Sequence, residues 1–450
     1  MELADIYRRY LEVLVESETM SFAQVIDEQT ALLERLCRHA RQTTRFYEGR
    51  LAPLFDRHDR FAPERWCEVP PLTREEVNLE RDALISNAPP KNFGRILEAK
   101  TSGSTGEPVR VLKNDTQRLT SACIFDRLVR WHGLDPTGKL ARVASLTITD
   151  DPATKSWSNA HWTRLHRKID MKGPVVGRNG QLPVPDLTNW LERERPDCLV
   201  IAPRHALAIA NEYRQRAVAP GYRLKAIIAY GETRTPELDA GIREVFGVAP
   251  ISLYTSEEVG HIAVECPQSG LYHVAEEVMR VDVVDTDGRD QKPGELGRIL
   301  TTPLYAYAMP LIKYEIGDET SLAENGASSR PFTALSPIQG RIGNLFRHAD
   351  GHGFRPSRFL FKEIATRMGA VAIQIAQTGI DHVVVRYKPG PAASDNQAEI
   401  AELVKKGFGA SWTVDFVEVD QIPTRANGKR EDFVFEDGPP DPETVRVTAA

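Results

Sequence analysis

Apolar residues recur at helical spacing through the first part of the chain, at Ile6, Tyr10 and Leu14 and again at Leu32, Leu33 and Leu36, with charged residues between them. A repeat close to the helical period marks one buried stripe, so residues 1 to about 50 are predicted helical. Pro70, Pro71 and Thr73 break that pattern ahead of Arg74-Glu75-Glu76-Val77, which reads as the capped start of another helix. From about 90 to 330 the period changes. Short β-rich runs, DCLVIA (197–202), KAIIAY (225–230) and APISLY (249–254), are separated by amphipathic stretches such as PELDAGIREVFG (236–247). Strands alternating with helices predict βα units and at least one parallel sheet.

The pattern shifts again near 276. EEVMRVDVVDTDGRD predicts a hairpin turning at Asp287-Gly288, followed by a strand at GRILTTPLY. Beyond Gly340-Arg341, FKEIATRMG and AEIAELVKKGFG read as helices, and HVVVRYKPG and WTVDFVEVD as strands. The expected architecture is therefore α/β: a large N-terminal domain of several subdomains (1–339) and a small, mobile α+β domain (340–437). The polar, Pro-rich tail 438–450 is expected to be disordered.

Composition narrows the functional classes. The 450 residues are 41% hydrophobic and 27% charged, enough to fill a sizeable core. Lys+Arg number 57 against 63 Asp+Glu, a net charge of -6, so no global field draws the chain to nucleic acid or to an anionic membrane. Cys37, Cys67, Cys123, Cys198 and Cys266 are scattered, which argues against a disulfide framework and for a reducing, cytoplasmic setting. No window approaches the ~20 apolar residues that cross a bilayer. A monomer or a homodimer is expected.

One string departs sharply from average composition: Thr101-Ser102-Gly103-Ser104-Thr105-Gly106, followed by Glu107-Pro108. Glycines let a backbone turn tightly against a ligand, and consecutive N–H groups with hydroxyls form a cradle for anionic oxygens. The spacing is not that of a Walker A loop, and such clusters are also ordinary surface turns. Four further segments follow in order. They are Tyr230-Gly231-Glu232-Thr233 after an apolar strand, Tyr254-Thr255-Ser256-Glu257-Glu258 after the next, Lys313-Tyr314-Glu315-Ile316-Gly317-Asp318 with Gly340-Arg341, and Asn427-Gly428-Lys429 near the C-terminus.

This ordered set resembles the adenylate-forming superfamily of acyl-CoA synthetases, adenylation domains and luciferases. The opening Pro70-Pro71-Leu72-Thr73-Arg74-Glu75 looks most like the phenylacetate-CoA ligase branch. The resemblance implies an ATP- and Mg2+-dependent ligase that joins a carboxylic acid to AMP with release of pyrophosphate, then passes the acyl group to coenzyme A. It implies that Thr101–Gly106 holds the β- and γ-phosphates, that Gly231, Glu232, Thr233 and Tyr254 border the adenine, and that Thr255 contacts the α-phosphate. Glu257 would bind Mg2+, an ion that takes carboxylate and phosphate oxygens. Asp318 would accept from the ribose hydroxyls, and Arg341 would face ribose or phosphate. Lys429 is the expected catalytic cation, a flexible point charge able to neutralise carboxylate and phosphate together.

The acid pocket is less legible. Trp157, His161 and Trp162 lie where relatives begin that region, and Gly260 and His261 follow the Ser-Glu motif; aromatic walls would suit an aryl acid, while core packing explains the tryptophans equally well. Ile342-Gly343-Asn344 lacks the family's acidic hinge residue. His261, Cys266 and His273 stand where some relatives build a zinc site, but Gly326–Arg330 contains no cysteine to complete four ligands, so no zinc is expected and Cys266 reads as buried. Two rivals remain: adenylation followed by transfer to an amine or to nitrite, and a silent nucleotide-binding protein. The joint presence of Glu257, Asp318 and Lys429 argues against the second.

Overall fold

The computed structural model describes residues 3–100, 109–144, 156–162, 173–180 and 182–341 (apart from 233, 286 and 325). In the C-terminal part it describes 346–348, 353–354, 356, 358–390, 396–420, 422–423 and 433–436. The described residues up to 338, apart from 317–319, form one compact unit; 317–319 and those from 339 onward form a second.

The helical stretch predicted at the N-terminus is two long helices, α1 (Leu3–Ser17) and α2 (Phe22–Thr43), followed by the single turn α3 (Tyr47–Arg50). The break between the first two has a local cause. Ser21 accepts from the Gln24 backbone N–H while the Gln24 side chain accepts from the Ser21 N–H, a reciprocal cap that starts a new helix. The same device opens α4 (Arg74–Leu79), where Thr73 and Glu76 bond reciprocally at 2.8 and 3.1 Å, ahead of a short α5 (Arg81–Leu84). A two-stranded ribbon, β1 (Ile96–Lys100) and β2 (Arg110–Asn114), leads into α6 (Asp115–Trp131).

Among the described residues, nine strands form the main sheet. In chain order they are β3 (Leu140–Ala144), β4 (Ser156–Asn159), β5 (Val175–Asn179), β6 (Cys198–Ile201), β7 (Ala226–Ala229), β8 (Pro250–Ser256), β9 (Gly260–Glu265) and β10 (Tyr272–Val274), with β14 (Ala334–Leu335) at one edge. The spatial order is β14-β10-β9-β8-β7-β6-β3-β5-β4, parallel from β5 through β3, β6 and β7 to β8. Alternate residues of these strands enter separate cores. Leu140, Cys198, Val200, Ala226 and Ile228 join one, and Ala141, Val143, Leu199, Ile201 and Ile227 the other. Burial on both faces explains why the runs read as unbroken apolar stretches. Helix α6 contributes to the first core; α7 (Val184–Glu194), α8 (Pro203–Gln215) and α9 (Pro236–Phe246) contribute to the second.

Strand β3 lies between β5 and β6, so the chain leaves β3 in one direction across the sheet and β6 in the other. Such a reversal opens a crevice beyond the carboxyl ends of the two strands, where α/β sheets commonly bind ligands.

The predicted hairpin differs in detail. Strands β11 (Met279–Val284) and β12 (Leu296–Pro303) pair antiparallel, but the tight turn at Asp287-Gly288 returns only as far as a bridge between Val284 and Asp290. The ladder with β12 resumes at Arg298, because the intervening Lys292-Pro293-Gly294 is a loop in which proline offers no ladder donor. The next strand, β13 (Tyr314–Ser321), follows β12 in the same sheet.

In the second unit Asp318 and Glu319 pair with Arg341 and Gly340 of β15 (Gly340–Arg341), and β16 (Phe346–Arg347) pairs with β17 (Gly353–Phe354). Strands β18 (Ala370–Gly379), β19 (His382–Pro389), β20 (Thr413–Glu418) and β21 (Phe433–Phe435) form a sheet ordered β20-β19-β18-β21. Helices α10 (Arg358–Arg367) and α11 (Gln397–Phe408) pack on it around Phe346, Ile364, Ile375, Val404, Phe408 and Trp412. The two helices and the strands β19 and β20 match the pattern read from the sequence; β18 and β21 are additions. No helix among the described residues is long and apolar enough to cross a membrane.

Candidate functional site

Three segments far apart in the chain meet where β8 ends. Ser256 closes the strand, residues 257–259 turn, and Gly260 opens β9. Glu258 is buried and accepts from Ser256 Oγ at 2.8 Å, from Arg74 Nη1 at 3.3 Å and from Tyr314 OH at 3.3 Å. The Leu72 N–H donates to the Lys313 carbonyl and the Glu315 N–H to the Leu72 carbonyl, each at 2.9 Å. The Pro-Pro-Leu-Thr-Arg segment, the Ser-Glu-Glu turn and the Lys-Tyr-Glu strand are therefore one construction. A buried carboxylate that keeps both a cation and neutral donors is strongly held, because removing any one leaves charge unsolvated.

That rigidity orients the neighbouring acid. Glu257 is exposed at the turn, and Lys113 Nζ donates to its backbone carbonyl at 2.5 Å. An exposed carboxylate on a fixed turn matches the oxygen donors that Mg2+ takes.

A second group lines the crevice at the reversal of strand order. Tyr230, just past β7, donates its hydroxyl to the Val143 carbonyl on β3 at 2.9 Å, and Arg142 Cζ lies 5.9 Å from the Tyr230 ring centre. Gly231 is exposed on the turn that follows. Glu232 accepts from the Arg204 backbone N–H at 3.1 Å, at the start of α8, and pairs with the Arg204 side chain at 3.4 Å. The exits of β3, β6 and β7 are thus tied together. Tyr254 is buried in the first core beneath this edge, and Thr255 is half-buried.

His261 stands directly across from Thr255 in the β8–β9 ladder. Its Nδ1 engages the Ser121 carbonyl on α6, and its backbone N–H donates to Ser121 Oγ at 2.8 Å. Burial, with Arg142 and Lys113 nearby, pushes the imidazole pKa down to about 4. Gly260 makes the approach possible: its φ is +96°, and a Cβ there would lie 2.5 Å from Ser121 Oγ.

The other pocket candidates divide. Trp162 is buried, donates Nε1 to the Gly138 carbonyl at 2.7 Å and packs edge-on to Phe125, the surroundings of a core residue. Trp157 lies on edge strand β4 against Gly177 of β5. His161 is half-buried, and its Nδ1 has no hydrogen-bond partner among the described residues. Cys266 is buried with Sγ at 3.1 Å from Gln268 Oε1, and His273 Nε2 lies 3.0 Å from Ser328 Oγ. Asp318 is half-buried opposite Arg341, of which only the backbone is described. The loop Thr101–Gly106, Thr233 and Lys429 lie outside the described residues.

Sequence reasoning passed over Glu258, Arg74, Lys113, Ser121 and Arg142. Arg74 had a visible signal, since it sits inside the Pro-Pro-Leu-Thr motif. Arg142 had a weaker one, a charge between two buried residues of an apolar strand. Lys113 and Ser121 had none.

The architecture has close counterparts among solved structures. A 2-hydroxyisobutyryl-CoA ligase in its postadenylation state, in complex with R3-HIB-AMP, superposes with a TM-score of 0.68 over 93% of this chain and 91% of its own, at 18% identity. The fold is that of the adenylate-forming ligases. In sequence, this ligase-fold chain is 30% identical over 157 residues to phenylacetate-coenzyme A ligase of Thermus thermophilus, and 26% identical over 156 residues to that of Pseudomonas putida. Those matches span 35% of either relative's length and 34% of the chain. A longer and weaker similarity, 21% over 374 residues, links it to protein CapK of Staphylococcus aureus and covers 81% of this chain and 78% of that one. No known family model matches.

Proposed function

We propose that this protein activates a carboxylic acid with ATP and Mg2+, forming an acyl-adenylate and pyrophosphate, and then transfers the acyl group to coenzyme A. The observation that carries the reading is the convergence of the Pro-Pro-Leu-Thr-Arg segment, the Ser-Glu-Glu turn and the Lys-Tyr-Glu strand around Glu258, within a sheet shared with acyl-CoA ligases. Adenylation must bring two anions together, so it needs fixed polar groups that act where charge develops. In this reading Glu257 holds Mg2+, which would neutralise phosphate oxygens. Thr255 contacts the α-phosphate and Asp318 the ribose. Gly231, Glu232, Thr233, Tyr254 and Arg341 border the nucleotide. The loop Thr101–Gly106 holds the outer phosphates, and Lys429 supplies the catalytic cation. An aryl acid is the proposed substrate class, with Trp157, His161, Trp162, Gly260 and His261 near it.

Exchange of labelled pyrophosphate into ATP across a panel of acids tests the first step. Acid-dependent exchange that chelation of Mg2+ abolishes is the expected result, and no exchange with any acid would refute adenylation. The mass of the product formed with coenzyme A, amines or nitrite then identifies the acceptor.

A further inference from the structure

His261 offers more than a wall. Its Nδ1 lies closer to the Ser121 backbone carbonyl, an acceptor only, than to the Ser121 hydroxyl at 3.2 Å, so that nitrogen carries the proton. In a neutral imidazole the other nitrogen, Nε2, is then an acceptor. The ring is kept neutral at ordinary pH by burial and by the positive field of Arg142 and Lys113. No hydrogen-bond partner of Nε2 occurs among the described residues, and the atom is not among those sealed from solvent. The ladder position sets the neighbourhood: His261 pairs with Thr255 at a register shift in the β8–β9 ladder, and paired residues on neighbouring strands carry Cβ atoms about 5 Å apart. An acceptor is thus held beside the residue assigned to the α-phosphate.

The flanking charges add a second constraint. Arg142 is exposed on β3 beside Tyr230, and Lys113 is half-buried at the Glu257 turn. Both oppose an ammonium group near His261, since like charges at short range in a partly dry site repel strongly. A neutral donor meets no such penalty. Resting on the adenylation reading above, we propose that the acid carries a neutral hydrogen-bond donor, a hydroxyl or an arylamine, that His261 Nε2 accepts, and that Arg142 and Lys113 exclude acids bearing an ammonium group.

The test uses matched acids that differ only in that group: hydroxylated, arylamine-bearing, unsubstituted and ammonium-bearing. A buried donor–acceptor bond contributes about 1.5 kcal/mol, which corresponds to roughly tenfold. Donor-bearing acids are therefore expected to exceed unsubstituted ones in exchange kcat/KM by about tenfold or more, and His261→Leu to collapse that ratio. His261→Asn, which keeps a side-chain acceptor, should restore part of it. The double variant Arg142→Gln/Lys113→Met should raise the relative use of ammonium-bearing acids. Melting curves of each variant separate recognition from misfolding, and the double variant tests the site without touching His261. Equal use of donor-bearing and unsubstituted acids by the wild type, or an unchanged ratio in His261→Leu, would overturn the proposal. Absence of exchange with every acid sinks adenylation instead. Direct binding of the same matched acids then judges recognition alone, and equal affinities with and without the donor overturn it.

Discussion

Asp126 shows how one residue's setting decides its chemistry. It is buried on α6, accepts from the Tyr7 hydroxyl on α1, and burial pushes its pKa up to about 7 against the pull of Arg130. A carboxyl raised in the folded state binds protons that the unfolded chain has already lost. Its stabilising contribution is full below about pH 4 and is lost as pH rises through about 7. Asp126→Asn removes this dependence while keeping an acceptor for Tyr7. The melting temperature of the variant relative to the wild type should therefore rise between about pH 5 and about pH 8, and a constant difference would refute the assignment. Next along the helix, Arg127 is fully buried and bonds Glu277, Ser17 and the Leu14 carbonyl. Neither residue stands out in the sequence, where an Asp-Arg pair on a helix reads as a solvated face. Arg142 and Lys113 are hidden for the same reason: each role depends on a neighbour more than a hundred positions away or on another strand.

Elements with local causes were legible. The cap at Thr73, the β-rich runs and the helices of the second unit all follow from residues within a turn or two of one another, whereas the cap at Ser21, equally local, was passed over in a stretch read as continuous helix. Edge strand β4 was not, because its support is distant. Trp157 lies against Gly177 of β5, so closely that a Cβ at 177 would fall 2.0 Å from the indole. Gly177→Ala must displace the ring or the strand, at a cost of about 1–3 kcal/mol for overpacking. Denaturant melts should register that loss. The double variant Gly177→Ala/Trp157→Ala should be less destabilised than the sum of the single changes, as expected for groups in contact; additive losses would argue that the two do not touch.

For the molecule as a whole, the order of motifs carried the fold. The described residues group into two units, with 317–319 in the smaller one, and the main sheet carries a parallel block, β5-β3-β6-β7-β8, flanked on both sides by antiparallel strands. Lys429 falls between β20 and β21 in chain order. As the proposed cation of adenylation, it should be dispensable for binding and needed for chemistry. Lys429→Ala is expected to leave ATP affinity nearly intact and to slow single-turnover acyl-adenylate formation about a hundredfold or more, the scale for losing a key electrostatic group. An unchanged single-turnover rate would remove it from the mechanism.

The sequence alone determined the elements, their order and the residues available for phosphate chemistry, because helix caps, strand runs and glycine-rich turns act over a few positions. Only the tertiary structure decided which of two adjacent acids is buried: Glu258 is taken up by Arg74 and Tyr314, leaving Glu257 exposed. It likewise decided which nitrogen of His261 is an acceptor. Both outcomes depend on desolvation and on partners brought in from other strands and helices, quantities that have no value until the chain has folded.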